Sequence, residues 1–106
     1  WGSYEVIEET EKYTIKRITV KQRGKLSLQS HNHRSEHWII VQGEAQVTIN
    51  NKIKLLYPNE SIFIPTQAKH RLANNQVKDL IVIELWYGDI LDENDIIRYE
   101  DIYKRT

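Results

Sequence analysis

Cysteine is absent from the 106-residue chain, which excludes disulfides, cysteine-ligated zinc sites and thiol catalysis. Methionine is absent too, so Trp1 is not a natural start and the sequence reads as a piece of something longer. With 4 glycines and 2 prolines there is no linker-like stretch, and residues 1–106 read as one domain. No apolar run exceeds five residues, far short of the roughly 20 that a transmembrane helix needs. The first ten residues carry Glu5, Glu8 and Glu9 and no apolar h-region, so no signal peptide is visible and a cytoplasmic location is expected. Net charge is also missing: 15 Lys and Arg balance 15 Asp and Glu. A neutral chain lacks the electrostatic footprint of a nucleic-acid binder, and any anionic ligand must be attracted by local arginines.

Hydrophobic residues are 40% of the chain and charged residues 28%, a globular balance. The dominant pattern has period two, the signature of strands. Tyr4 to Glu8, the β-branched run Tyr13 to Val20, Leu26 to Ser30 and the apolar run His37 to Val41 all read as strands. Ala45–Ile49 and Lys52–Leu56 flank Asn50-Asn51, two residues that tolerate positive φ, which predicts a tight hairpin. Tyr57-Pro58-Asn59-Glu60 predicts a second turn. Ile62 to Ile64, His70 to Asn74 and Asp79 to Tyr87 complete the strands, and Asp92 to Lys104 is the one stretch expected to hold a short helix. Roughly nine strands with short connections predict an all-β sandwich or barrel.

The chemistry concentrates in four histidines, His31, His33, His37 and His70, and in Glu36. Residues two apart on a strand share a face, so Gln29, His31 and His33 project together. A turn through Asn32 to Ser35 lets Glu36 face back toward them. Imidazole and carboxylate converging on one face is how a divalent metal is held. Trp38, Trp86, Tyr87 and Phe63 are read as barrel core in preference to a sugar-stacking surface. Lys69, beside His70, is either an exposed rim lysine or a base or phosphate contact.

The stretch Gln29-Ser30-His31-Asn32-His33-Arg34-Ser35-Glu36-His37-Trp38 resembles the first cupin motif, G-x5-H-x-H-x3/4-E-x6-G, and Pro65, His70 and Asn74 fit the second, G-x5-P-x-G-x2-H-x3-N. Asn59 and Gln67 stand in the glycine slots of the second motif. In the first, counting back from Glu36 places His31 and Gln29 in the two histidine slots and Arg23 in the glycine slot. The alternative register pairs His31 with His33. Together with Trp1-Gly2-Ser3-Tyr4 and Ile97 to Tyr103, these segments are similar to the C-terminal cupin domain of bifunctional mannose-1-phosphate guanylyltransferase/mannose-6-phosphate isomerases. The family often has histidine where Asn32 stands.

The resemblance implies a single-domain cupin-type double-stranded β-helix, a jelly-roll barrel. It also implies a metal-dependent isomerase interconverting mannose 6-phosphate and fructose 6-phosphate in the GDP-mannose pathway. The alternative is a metal- and sugar-binding cupin module without turnover. The implied metal ligands are Gln29, His31, Glu36 and His70, with His33 as substitute. The implied metal is divalent, zinc first, with cobalt, manganese, nickel or iron as alternatives. His33 and Lys69 are candidate bases. Arg34, Arg98 and Arg105 match arginines tied to activity in the family, and a guanidinium fork suits phosphate oxygens. The partners expected are a small sugar phosphate and a second copy of the chain, paired through the open edge at Tyr4 to Glu8, with no nucleic acid and no membrane.

Overall fold

The computed structural model describes residues 1–100. They form ten strands: β1 (Gly2–Glu9), β2 (Tyr13–Val20), β3 (Leu28–Ser30), β4 (Arg34–Gln42), β5 (Ala45–Ile49), β6 (Lys52–Leu56), β7 (Ser61–Ile64), β8 (His70–Ala73), β9 (Leu80–Gly88) and β10 (Ile97–Glu100). Two antiparallel five-stranded sheets result, ordered β1-β2-β9-β4-β7 and β10-β3-β8-β5-β6, the double-stranded β-helix that the sequence motifs imply.

Period-two patterning sets which side chains enter. On β2 the inward residues are Thr14, Lys16, Ile18 and Val20; on β4, Arg34, Glu36, Trp38 and Ile40; on β9, Leu80, Val82, Glu84 and Trp86. Register aligns these into rows. Thr14, Trp86, Glu36 and Ile64 face one another across β2, β9, β4 and β7, and Lys16, Glu84, Trp38 and Ile62 form the next row. Beyond them the inner surface is aliphatic, with Val20, Ile40, Val47, Leu72, Leu80 and Val82 each at most 2% exposed. Each such side chain contributes about 1.5–3 kcal/mol. The barrel is therefore closed by an apolar core at one end and lined by charged and polar groups at the other. Buried polar atoms are costly unless bonded, and among the described residues every buried side-chain polar atom has a partner.

Turn chemistry agrees with the sequence. Asn50, between β5 and β6, has φ 52°. The four glycine slots of the cupin motifs all adopt left-handed backbone although three hold other residues: Arg23 (φ 58°), Gly43 (89°), Asn59 (72°) and Gln67 (70°). The fold keeps the conformation that glycine would relieve.

Two expectations are corrected. β4 begins at Arg34 rather than His37, which shortens the turn after His31. The segment expected as a helix instead supplies β10 within the described residues. Its Ile97 and Arg98 pair with Ser30 and Gln29, and the Ser30 and Tyr99 hydroxyls lie 2.9 Å apart. Pairing with the otherwise open edge of β3 overrides local helix propensity, as long-range contacts commonly do.

Candidate metal centre and adjoining cavity

The loop from β3 to β4 carries His31, and Asp95 holds that loop in place. The Asp95 carboxylate accepts the backbone N–H of Asn32 and of His33, each at 2.9 Å, and its carbonyl oxygen lies 2.7 Å from His31 Nδ1. These backbone hydrogen bonds outweigh desolvation and hold the Asp95 carboxyl below its usual range. His31, on the loop, therefore meets Glu36 from β4 and His70 from β8, and one ligand atom of each lies within 4.8 Å of the others.

Glu36 is the hub. Its Oε2 lies 3.0 Å from His31 Nε2 and accepts Arg34 Nε–H at 3.0 Å, while Oε1 accepts Trp38 Nε1–H at 2.9 Å and lies 3.9 Å from His70 Nε2. Both imidazoles are oriented from behind: His31 Nδ1 faces Asp95 O, and His70 Nδ1 faces Ala68 O at 2.9 Å. Assigned from those partners, each Nδ1–H donates to a carbonyl, and Nε2 is the ring nitrogen left to face Glu36, where a cation would take the place of its proton. Two imidazole nitrogens and a carboxylate aimed at one point, with carbonyls behind the imidazoles, are the donor set and outer support that suit a divalent cation. Burial would push the Glu36 carboxyl up, but the His31 hydrogen bond and the charges of His70, His31 and Arg34 hold it well below the usual carboxylate range. Burial pushes His70 down, only partly offset by Glu36.

A cavity of about 160 Å³ opens beside this group, lined in part by Gln29, Arg34, Glu36, His70, Trp86 and Arg98. Arg98, Gln29 and His70 are cross-strand neighbours on β10, β3 and β8, so they share a face. The Gln29 amide nitrogen donates to Ser27 Oγ at 3.0 Å and Ser27 O at 3.3 Å, which among the described residues leaves its carbonyl oxygen as the uncommitted atom.

Arg34 lines the cavity but its guanidinium is already engaged. Besides Glu36 it meets His31 Nε2 at 3.2 Å and Asp92 O at 3.3 Å, and it stacks 3.5 Å over Trp86. This geometry makes Arg34 an orienting clamp on Glu36. His33 is exposed, its backbone N–H bonded to Asp95, and it lies outside both the ligand group and the cavity lining. Lys69 is likewise exposed and outside the lining, with Nζ 4.3 Å over the Tyr99 ring. Neither lies on a strand: His33 is in the loop between β3 and β4, and Lys69 precedes β8. Arg105 lies outside the described residues. Of the four aromatics read as core, Trp38 and Trp86 are buried, whereas Phe63 and Tyr87 are 55% and 59% exposed on the outer face.

Sequence reading missed Lys16, Glu84, Glu93 and Asp95. Lys16 and Glu84 sat in register with their buried neighbours Ile18, Val20, Leu80 and Val82, and that parity was the available signal. Glu84 is buried, accepts Trp86 Nε1–H at 2.8 Å, and titrates well above the usual carboxylate range, first because of burial and then because of the Glu36 charge. Glu93 and Asp95 come from the loop before β10 and had no periodic signature.

Comparison with known proteins identifies the family and the fold. The family model described as "Mannose-6-phosphate isomerase C-terminal" matches residues 1–101. The chain is 50% identical over all its 106 residues to mannose-1-phosphate guanylyltransferase ManC of Salmonella typhimurium, and 49% identical to the alginate biosynthesis protein AlgA of Pseudomonas aeruginosa. It spans 22% of the length of each. Among solved structures, a double-stranded β-helix protein from Klebsiella pneumoniae aligns with TM-score 0.81 at 15% identity, over 94% of this chain and 85% of that one. The Cnp3 cupin domain of Schizosaccharomyces pombe aligns with TM-score 0.78 at 13% identity, over 81% and 64%. Those two likenesses establish the fold, and the match across residues 1–101 establishes more: the chain belongs to the mannose-6-phosphate isomerase C-terminal family, on a cupin barrel.

Proposed function

We propose that this domain interconverts mannose 6-phosphate and fructose 6-phosphate with a bound divalent metal, in the supply of mannose for GDP-mannose. The observation that carries the reading is the pair of Nε2 atoms of His31 and His70 turned on Glu36 at the wall of a cavity that Gln29 and Arg98 also line. His31, Glu36, His70 and the Gln29 carbonyl would hold the ion, and zinc suits a donor set of two imidazoles, a carboxylate and an amide oxygen. When bound, the metal supplies Lewis-acid stabilisation of charge developing on sugar oxygens. The chain's own residues do the rest. Arg34 and Trp38 fix the Glu36 carboxylate, Asp95 fixes His31, and Arg98 offers a guanidinium to the anionic end of the sugar. The reaction moves a proton between adjacent carbons of the open-chain sugar. We give that step to a group on the cavity wall and assign no part in it to His33 or Lys69.

The test is a coupled assay with mannose 6-phosphate on the metal-loaded chain, using zinc, cobalt, manganese, nickel and iron in turn. Turnover supports the isomerase reading. Stoichiometric metal and sugar-phosphate binding without turnover under every metal would refute it and leave a binding module. A cytoplasmic setting is part of the proposal; among the described residues no helix is long and apolar enough to cross a membrane.

A further inference from the structure

The cavity contains a charge pair that the isomerase reading does not use. Lys16 points inward from β2 with a side chain only 5% exposed, and lysine is almost never so buried without a partner. Its Nζ lies 3.6 Å from the centre of the Trp86 ring and 4.4 Å from that of Tyr4. The carboxylate that pairs with it, Glu93 Oε1 at 2.9 Å, comes from the loop before β10 and is 61% exposed. A buried cation, held in place by a strand and two rings, is thus matched by an anion reaching in from the mouth. The rings exclude water around the ammonium, so its attraction for an anion exceeds that of a surface lysine.

We propose that Lys16 receives the phosphate group of the sugar phosphate, and that the Glu93 carboxylate occupies that position until the ligand displaces it. The inference rests on the sugar-phosphate reading above and adds an interior partner for the anion that Arg98 meets at the edge of the sheet. Arg34 is spent on Glu36, His31 and the Asp92 carbonyl; Arg71, also buried in the cavity wall, is fixed by the Leu26 and Glu100 carbonyls as well as by the Glu100 carboxylate; and Arg98 sits exposed at the end strand of its sheet, so among the described residues Lys16 is the interior cation whose partner is an exchangeable side chain rather than backbone carbonyls. Charge decides the exchange: a phosphate monoester carries about −1.5 to −2 near neutrality and three acceptor oxygens, against a single charge on Glu93.

The experiment is calorimetric titration of the metal-loaded chain with inorganic phosphate, mannose 6-phosphate and mannose. Lys16→Gln should weaken both phosphate-bearing probes at least tenfold and leave mannose and metal content unchanged. Lys16→Arg should restore most of the loss. Glu93→Gln should tighten phosphate several-fold, and that gain should vanish in the Lys16→Gln background. Phosphate affinity within twofold of the parent in a folded Lys16→Gln chain overturns the proposal. If Lys16→Gln does not fold, Glu93→Gln decides, since unchanged or weaker phosphate binding in that variant overturns it equally. Because inorganic phosphate needs no turnover, the two readings fail separately. An inactive chain with Lys16-dependent phosphate binding refutes only the isomerase, and an active one indifferent to both variants refutes only this site.

Discussion

Neutralising Glu36 should unfold the polar end of the barrel, whereas neutralising Glu84, its neighbour on β9, should not. The two carboxyls are 3% and 9% exposed, yet their surroundings push them in opposite directions. Glu36→Gln keeps the shape but leaves the buried Arg34 guanidinium without its counter-charge and puts an amide where His31 Nε2, Arg34 Nε and Trp38 Nε1 converge. Removing one member of a buried pair costs about 3–5 kcal/mol, and since one amide oxygen still accepts, the lower figure applies. At about 4 °C per kcal/mol for a domain of this size, the melting temperature should fall by roughly 12 °C. Glu84 already leans toward its neutral form, so Glu84→Gln should change stability by less than about 1 kcal/mol, as Trp86 Nε1 keeps an acceptor.

Both variants are to be melted with chelator present across pH 4 to 7, which separates folding from metal binding. The signs differ. Glu36 has a depressed folded pKa, so its contribution is present above its unfolded value, near 4.5, and is lost as pH falls. Glu84 has a raised one, so its contribution is full below that value and is lost as pH rises through the folded pKa. Glu84→Gln should therefore flatten the decline toward pH 7. A Glu36→Gln melting point within about 4 °C of the parent would refute the claim that this carboxylate holds the polar end together. An equal loss in Glu84→Gln would show that Glu84 is charged in the fold.

Metal analysis should find His31→Ala and His70→Ala without stoichiometric metal, Gln29→Ala weakened, and His33→Ala loaded; loss in His33→Ala with retention in Gln29→Ala reverses the register. Replacing Arg23 or Gln67 by glycine should leave stability unchanged or raise it by up to about 1 kcal/mol in chemical denaturation, while Gln67→Val should lower it by about 1–2 kcal/mol, because left-handed backbone penalises a β-branched side chain. Arg98→Ala and Arg105→Ala should lower kcat/KM for mannose 6-phosphate about tenfold or more with melting point and metal content unchanged, and wild-type kinetics in both would remove the arginines from phosphate binding. We expect a homodimer through β1, an edge strand exposed at all eight positions, and a monomer mass by light scattering at micromolar concentration would refute that.

Local signals determined much of this protein. Alternation defined β2, β4, β5, β6 and β9, the Asn50-Asn51 pair defined a hairpin, and the histidines clustered beside Glu36 pointed to a metal, with the cupin resemblance implying Gln29, His31, Glu36 and His70 as ligands. These properties depend on neighbours along the chain: strand parity, positive φ and ligand spacing are short-range. The tertiary structure decided what depends on pairing between distant segments. Ile97–Glu100 became a strand because β3 had an open edge to pair with, not because of its own propensity. His33 and Lys69 lie outside the cavity lining because the loops that carry them turn them outward. Lys16 and Glu84 became site residues because register aligned β2, β9 and β4 and placed their charges beside Trp86 and Glu36, at the one end of the barrel where the aliphatic core gives out.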